Sequence, residues 1–586
     1  MATQTMETQT IETEKAGTEH VEQLSGSGSG SGSPEHRDEK HPDYYDTMRI
    51  DGDGEDHMHE PPMTFSRAMS LMAMGFIWVG SQIPLYLFGA IPPYIYGDIG
   101  GVDRWVWFVL GGLLALAGVC PFVGSLADLL GRRYVALLGA VLLVVGTVVA
   151  TTAQTMGQFI AGMTIVGAGA GVAELTALAV TSELAPTRKR GQYVAILIFT
   201  IVPFVPSSFY AQLIAYHSNW RYVGIIVCVW NGIGFFLTFF FYHPPPRVNA
   251  QNKTRRQILG EIDYLGGLLS ISGMVCFMAG MQWGGYQYPW KSAHVLAPLL
   301  IGVALLVGFC FWEMYGAKCR IKQNPRILLL TLLITFISGA NFFSALMFWP
   351  TQAFNVYGHD PVQVGLRTFV PGMSIMLGAC TTLWLLSVFR GRNKELMIFS
   401  SVIMTAGTAA LACATRYNMN TLWGLLILSG FGIGGIVVPA SVITTIICPD
   451  DLIATVSALT LAIRVIGGSI GYCAYYNVFL SKFVPAAIKY IGGTMVSMNI
   501  TDPALIEEAI ALTGASLIDE LRAIPGIGNN DTAWNMVVLA GQLAYADAYR
   551  WVYLASIAAG CVSIIAACFL GNIDPYMDDH VAVVMR

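Results

Sequence analysis

Hydrophobic residues run in long blocks along this chain, separated by short polar joints. A bilayer-crossing helix needs roughly 20 apolar residues. Windows of that size fall at 68–92, 105–125, 134–153, 157–181, 193–215, 222–242, 264–283, 295–315, 327–350, 367–389, 396–414, 421–447, 456–480 and 550–571. Barrel strands are about half as long, so the pattern predicts an all-α, polytopic membrane protein with fourteen spans. Prolines at 84, 92, 93, 203, 206, 371 and 439 predict bends or breaks within or beside them.

Composition agrees with lipid as the main solvent. Of 586 residues, 54% are hydrophobic and 12% charged, against roughly 25% charged in soluble domains; the mean hydropathy is +0.58. Residues 1–60 hold fifteen acidic and four basic side chains, and Ser25–Ser33 is a strict Gly/Ser alternation, so this tail is expected to be disordered. His57-Met58-His59 lies among its acids, and the pattern favours a solvated tail over a metal site. No basic region with a short apolar core opens the chain, so no cleaved signal peptide is expected. Eleven cysteines, mostly in apolar blocks and without a C-x-x-C pair, predict neither disulfide framework nor zinc site.

Lys and Arg cluster on alternate joints: Arg132-Arg133, Arg188-Lys189-Arg190, Arg247 to Arg256, Lys318 to Arg326, and Arg390 to Lys394. The positive-inside rule places these joints and both termini in the cytoplasm and the polar stretch 483–548 outside. That stretch carries the sequons Asn499-Ile500-Thr501 and Asn530-Asp531-Thr532, making Asn499 and Asn530 candidate glycosylation sites. A third sequon at Asn252 falls on a cytoplasmic joint and is expected to be unmodified.

The joint between spans two and three reads Gly124-Ser125-Leu126-Ala127-Asp128-Leu129-Leu130-Gly131-Arg132-Arg133. Gly124 and Gly131 permit close approach and a tight turn; Asp128 at a helix end can pair with Arg132 or Arg133. A degenerate echo, Leu386 to Lys394, follows span ten and predicts two related halves with two helices inserted between them. Span four carries Gly167-Ala168-Gly169-Ala170-Gly171 and then Glu174; span thirteen carries Arg464, Gly467 and Gly471. Charges inside spans are costly unless paired or facing a cavity, so Glu174 and Arg464 are candidates for proton coupling, with a helix-packing hydrogen bond and snorkelling as the respective alternatives. Gln82, Asn341 and nearby Trp349 are candidate solute contacts.

The ten-residue joint resembles the signature loop of the major facilitator superfamily. Further segments, Tyr94 to Gly101, Gln282-Trp283-Gly284-Gly285, Ile470 to Phe479 and Tyr576 to Val583, resemble the fungal trichothecene efflux pump family, which sits beside the siderophore–iron transporters. The likeness spans about 62–586. It implies a major facilitator fold of two six-helix bundles plus two inserted helices: a disordered acidic cytoplasmic tail 1–65, an N-terminal bundle 66–242, a linker with the inserted pair 243–326, a C-terminal bundle 327–571 with the extracellular loop 483–548, and a cytoplasmic tail 572–586. Two departures are visible. Met163 stands where drug–proton antiporters of the superfamily carry an arginine, and Val205-Pro206-Ser207-Ser208 stands in place of their Gly-Pro motif.

No G-x-x-x-x-G-K-[ST] loop occurs, so energy must come from a gradient. The resemblance implies secondary active, proton-coupled export of a small amphipathic or hydrophobic fungal metabolite across the plasma membrane by a monomer. Siderophore–iron uptake and a non-transporting sensor on the same scaffold are the alternatives. Protons and the lipid bilayer are the other expected partners. No cofactor, metal, catalytic residue or nucleic acid is expected.

Overall fold

Apolar blocks of this length close their backbone hydrogen bonds internally, which is the condition for crossing lipid. The computed structural model describes residues 64–186, 189–244, 263–284, 288–315, 325–389, 391–448, 453–528 and 530–574. The acidic tail with His57 and His59, the Asn252 sequon, Arg188, Arg247 to Arg256, Lys318 to Lys322, Arg390 and residues beyond 574 lie outside them.

The helices are α1 (Phe65–Phe88), α2 (Val106–Leu130), α3 (Arg132–Thr151), α4 (Met156–Leu184), α5 in two pieces (Arg190–Phe199 and Ser207–His217), α6 (Arg221–Phe241), α7 (Tyr264–Trp283), α8 (Ala293–Tyr315), α9 (Pro325–Tyr357), α10 (Pro361–Val388), α11 (Asn393–Ala410), α12 in two pieces (Met419–Val437 and Pro439–Ile446), α13 (Ile453–Ala487) and α14 (Asp531–Cys568). Among the described residues thirteen helical stretches are long and apolar enough to cross a membrane. The fifth block is the exception: Pro203 and Pro206 cannot donate to the ladder, and a 3-10 turn at Val202–Phe204 divides it. Pro439 divides α12 in the same way, whereas Pro84 and Pro371 lie inside continuous helices.

One expectation needs correcting. The stretch 483–548 is not an outer loop of that length, and the last helix does not begin near 550. α13 runs on to Ala487, a helix covers Pro503–Gly514, and α14 starts at Asp531. Asn530 caps α14, its side chain accepting from the amides of Thr532 and Ala533 at 3.0 and 3.3 Å. Polar Gln542, Asp547 and Arg550 break the apolar window, but Val537, Ala540, Gly541, Ala544, Tyr545, Ala548 and Tyr549 recur at helical spacing and are buried. At 38 residues α14 is about 57 Å long, well beyond the roughly 30 Å of a hydrocarbon core. The exposed Asn499 and Asn530 both lie at this end of the molecule, hereafter the loop end; the opposite end, carrying Arg132 and Arg133, is the basic end.

Packing repeats itself. α4 packs on α1, α2 and α3, and α6 on α1 and α3; α12 packs on α9, α10 and α11, and α14 on α9 and α11. The two sets meet where α2 touches α13 and α5 touches α10. Exchanging the sets maps one meeting line onto the other, as a pseudo-two-fold axis requires. Close approach within each set depends on glycine at matching places: a Cβ on Gly167 of α4 would overlap the Gly112 carbonyl of α2, and one on Gly434 of α12 would overlap the Ile375 carbonyl of α10. The α7–α8 pair packs on itself and lies along α2 and α13. Asp263 caps α7 at Gly266 and accepts the Trp312 indole of α8 at 2.9 Å. Only 11% of the most apolar window of α8 is buried, which fits a lipid-facing helix.

At the loop end the helix Pro92–Ile99 is anchored by Asp98, which accepts from Trp220 at 3.0 Å and Arg221 at 2.5 Å; these bonds hold its carboxyl below the usual range. In the α9–α10 joint, His359 stands edge-on to Phe354 with ring centroids 4.2 Å apart. Burial pushes its imidazole down to about 4, partly opposed by Asp519.

Two expectations follow. Gly167→Val should lose about 1–3 kcal/mol by overpacking, read as a lower melting temperature of the detergent-purified protein, while Gly157→Ala, where a Cβ meets open space, should leave it unchanged. The unfolded chain protonates His359 near pH 6.5 and the folded chain near 4. Stability is therefore full above 6.5 and falls as pH drops toward 4, by on the order of 3 kcal/mol. The pH series of melting temperatures for His359→Phe should be flatter over that window.

Candidate functional site

A cavity of about 160 Å3 lies where the two sets of helices meet. Trp78, Gln82 and Tyr86 of α1, Glu174 of α4, Trp349 of α9 and Arg464 of α13 are among its lining. Glu174 is 3% exposed and Arg464 6%. The two form an ion pair, Arg464 Nη2 to Glu174 Oε1. Each residue stood alone in the sequence as a charge in an apolar span; the fold brings them together across 290 positions. Two lone opposite charges, one per half and each facing the axis, were the signal. Desolvating two ions costs several kcal/mol each, so such a pair persists only when both ions have partners.

Gln82 faces the same cavity. Tyr86 Oη donates to Gln82 Oε1 at 3.0 Å, and Gln82 Nε2 donates to Ser81 Oγ at 3.1 Å. Trp349 is in the wall, its indole donating to the Arg367 carbonyl at 2.9 Å. Asn341 lies elsewhere, in a pocket of about 30 Å3 inside the second half. It accepts from Tyr475 Oη at 3.2 Å and its Nδ2 meets Met404 Sδ at 3.5 Å. Trp349 borders both pockets, and Asn341 borders the smaller one. Tyr86 and Trp78, missed in the sequence because aromatics are ordinary in spans, are in the main cavity.

The basic end is shut. Gly131, at φ +90° and bonded to the Ala127 carbonyl at 2.9 Å, turns α2 into α3. Gly391, at φ +72°, does the same between α10 and α11. Gly124 is buried in α2; Asp128 is in its last turn, with its side chain outside the described set. Arg132 pairs with Glu183, in the last turn of α4, a partner the sequence did not suggest. Arg133 donates to the Phe239 carbonyl of α6 at 2.6 Å and stacks on its ring. Carbonyls at helix C-termini lack intrahelical partners and carry partial negative charge, and arginines take them up. Arg67 donates to Leu184 at 2.7 Å. Arg190 donates to Ser182 of α4 at 3.1 Å and to Thr445 of α12 at 2.9 Å. Arg190 thus clamps the ends of two equivalent helices, one from each half.

The family model for the fungal trichothecene efflux pump matches residues 68–585. The chain belongs to this family. A trichothecene efflux pump of Fusarium sporotrichioides is 24% identical over 535 residues, 88% of this chain and 86% of the relative. An MFS-type efflux transporter of Aspergillus flavipes is 24% identical over 77% of each chain. A trichothecene efflux pump of Trichoderma arundinaceum is 27% identical over 63% of this chain and 64% of the relative. Among solved structures, a bacterial homologue of the human lysosomal transporter Spinster, inward-facing and unoccupied, superposes with TM-score 0.51 at 14% identity, covering 87% of this chain and 98% of that one. The human organic anion transporter MFSD10 gives 0.50 at 13% identity, covering 85% and 100%. The efflux-pump family chain therefore has the major facilitator fold, and the pair Glu174–Arg464 sits at the heart of it.

Breaking a buried pair from one side strands an ion, at about 3–5 kcal/mol. Glu174→Leu and Arg464→Leu should each lower the melting temperature, and the double leucine variant should recover most of the loss. Equal additive losses would show that the charges do not interact.

Proposed function

We propose that this protein is a proton-coupled efflux transporter that moves a small hydrophobic or amphipathic fungal secondary metabolite out across the plasma membrane by alternating access, with both termini in the cytoplasm. The observation that carries the proposal is the buried Glu174–Arg464 pair, which lines the cavity and spans the two halves. Membership of the efflux-pump family and the names of its relatives support the direction and the class of solute. The siderophore alternative finds no support in them.

Coupling follows from charge. With Glu174 ionised, Arg464 is drawn to the α4 side, out of the rest of the cavity. A proton on Glu174 removes the attraction, and an unpaired guanidinium is tolerated only where water enters. Proton and solute therefore compete: an ionised Glu174 holds Arg464 aside, and a protonated one releases it into the space the solute needs. The Arg132–Glu183 and Arg190 contacts hold the basic end closed in one state and part in the other, and the two halves rock about the site. The lining is mostly apolar, with Ser81, Gln82, Tyr86, Ser207, Ser208 and Thr368 as uncharged polar contacts beside the ion pair, which fits an uncharged solute with few polar groups.

In proteoliposomes loaded with a labelled trichothecene, an imposed pH gradient should drive release by the wild type, and Glu174→Gln should cut that release at least about tenfold, a loss of 1.4 kcal/mol or more. Gradient-driven release by Glu174→Gln at the wild-type rate would refute the coupling role; no release by the wild type would refute trichothecene as cargo.

A further inference from the structure

A second cavity, of about 500 Å3, lies at the loop end. Drug-sized solutes occupy pockets of roughly 300–1,000 Å3, so this space fits one while the central cavity, at about 160 Å3, is contracted. Its wall is aromatic. Tyr472, Tyr476, Phe479 and Phe483 follow one face of α13, and Tyr545 and Tyr549 face them from α14. Ring centroids stand 4.7 Å apart for Phe479–Tyr549 and 4.5 Å for Phe483–Tyr545. Such a surface takes flat apolar rings by stacking.

Two polar groups in this lining are left unpaired. Asn355 is 4% exposed and its Nδ2 has no hydrogen-bond partner; Gln212 is 2% exposed and its Oε1 has none. Gln212 Nε2 donates to the Ala90 carbonyl at 2.7 Å, which fixes the amide and leaves Oε1 as an acceptor. Buried groups of this kind cost about 1–3 kcal/mol each when unsatisfied. Among the described lining residues the exposed Asp103 is the one acidic or basic side chain.

The roof is the segment at the end of the helix Pro503–Gly514. Tyr545 Oη donates to the carbonyls of Thr513 and Gly514, both at 3.0 Å, and Tyr96 Oη donates to that of Ala515 at 2.6 Å. Tyr545 belongs to the second half and Tyr96 to the first. Separating the halves at this end therefore breaks the Tyr96 latch and leaves the roof on α14. Pro350 of α9 lines both this cavity and the central one.

We infer that the aromatic cavity under the 503–516 roof is a second solute site, on the release side of the central one, for an uncharged multi-ring solute bearing both a hydrogen-bond acceptor, for Asn355, and a donor, for Gln212. Stacking supplies the affinity, the two amides fix the orientation, and the Tyr96 latch sets how fast the solute leaves. The site stands on this geometry and not on the role of Glu174.

The test is equilibrium binding of tritiated cortisol, an uncharged hydroxylated four-ring probe, to the full chain in lipid nanodiscs, in the wild type and in Glu174→Gln. Saturable binding is expected in both, so a failure of the coupling proposal leaves this result readable. Asn355→Leu should weaken it about tenfold, Thr351→Trp, which fills the cavity from α9, should abolish it, and Tyr96→Phe should speed dissociation. Quenching lost in Trp105→Phe places the probe beside Trp105, in the lining, without touching either amide. No saturable binding by the wild type, affinity unchanged in both Asn355→Leu and Thr351→Trp, or quenching that is the same with and without Trp105 would overturn the inference.

Discussion

A carboxylate and a guanidinium buried in the middle of a bilayer each cost several kcal/mol to bring there, and neither is tolerated alone. Glu174 and Arg464 meet this constraint by facing each other across the axis between the two halves. Much of the architecture follows. The halves must approach closely enough for α4 and α13 to touch, as they do; glycine eases the other meeting line, where a Cβ on Gly191 of α5 would crowd the Leu383 carbonyl of α10. The basic end must close over the site, which Arg190 does by joining the ends of α4 and α12. The pair belongs to both halves, so moving them apart at this level separates the two charges.

The same electrostatic logic runs through the basic end. Helix C-termini converge there, and their carbonyls attract positive charge. Arg67, Arg133 and Arg190 each serve one or more of these carbonyls, while Arg132 takes the carboxylate of Glu183. The arginines of the basic end thus tie helix ends together. The loop end is held differently: tyrosine hydroxyls on carbonyls, and a largely apolar aromatic interior. Between the halves, the basic end is joined by the guanidinium of Arg190 and the loop end by the neutral hydroxyl of Tyr96.

The spans were legible in the sequence because an apolar block of about 20 residues has few other fates. The turn glycines Gly131 and Gly391 were legible through the repeated joint motif. The start of α14 was not, since Gln542, Asp547 and Arg550 interrupt the apolar window although the buried face keeps its helical spacing. At the site, Glu174, Arg464 and Gln82 could be picked out as polar residues in apolar surroundings. Their pairing could not, because 290 residues separate the partners and only the fold brings them together. Asn341 looked like Gln82 in sequence, yet a turn of α9 commits it to Tyr475. Glu183, a partner of Arg132, carried no motif that would have singled it out.

The central claim is that proton and solute compete through Glu174. Proton release on solute binding, followed with a pH-indicator dye in weakly buffered detergent solution, tests it most directly. Adding a transported solute to the wild type across a pH series should release up to one proton per protein, and Glu174→Gln should release none. Equal release from both proteins, or none from the wild type at any pH at which it binds solute, would contradict the account.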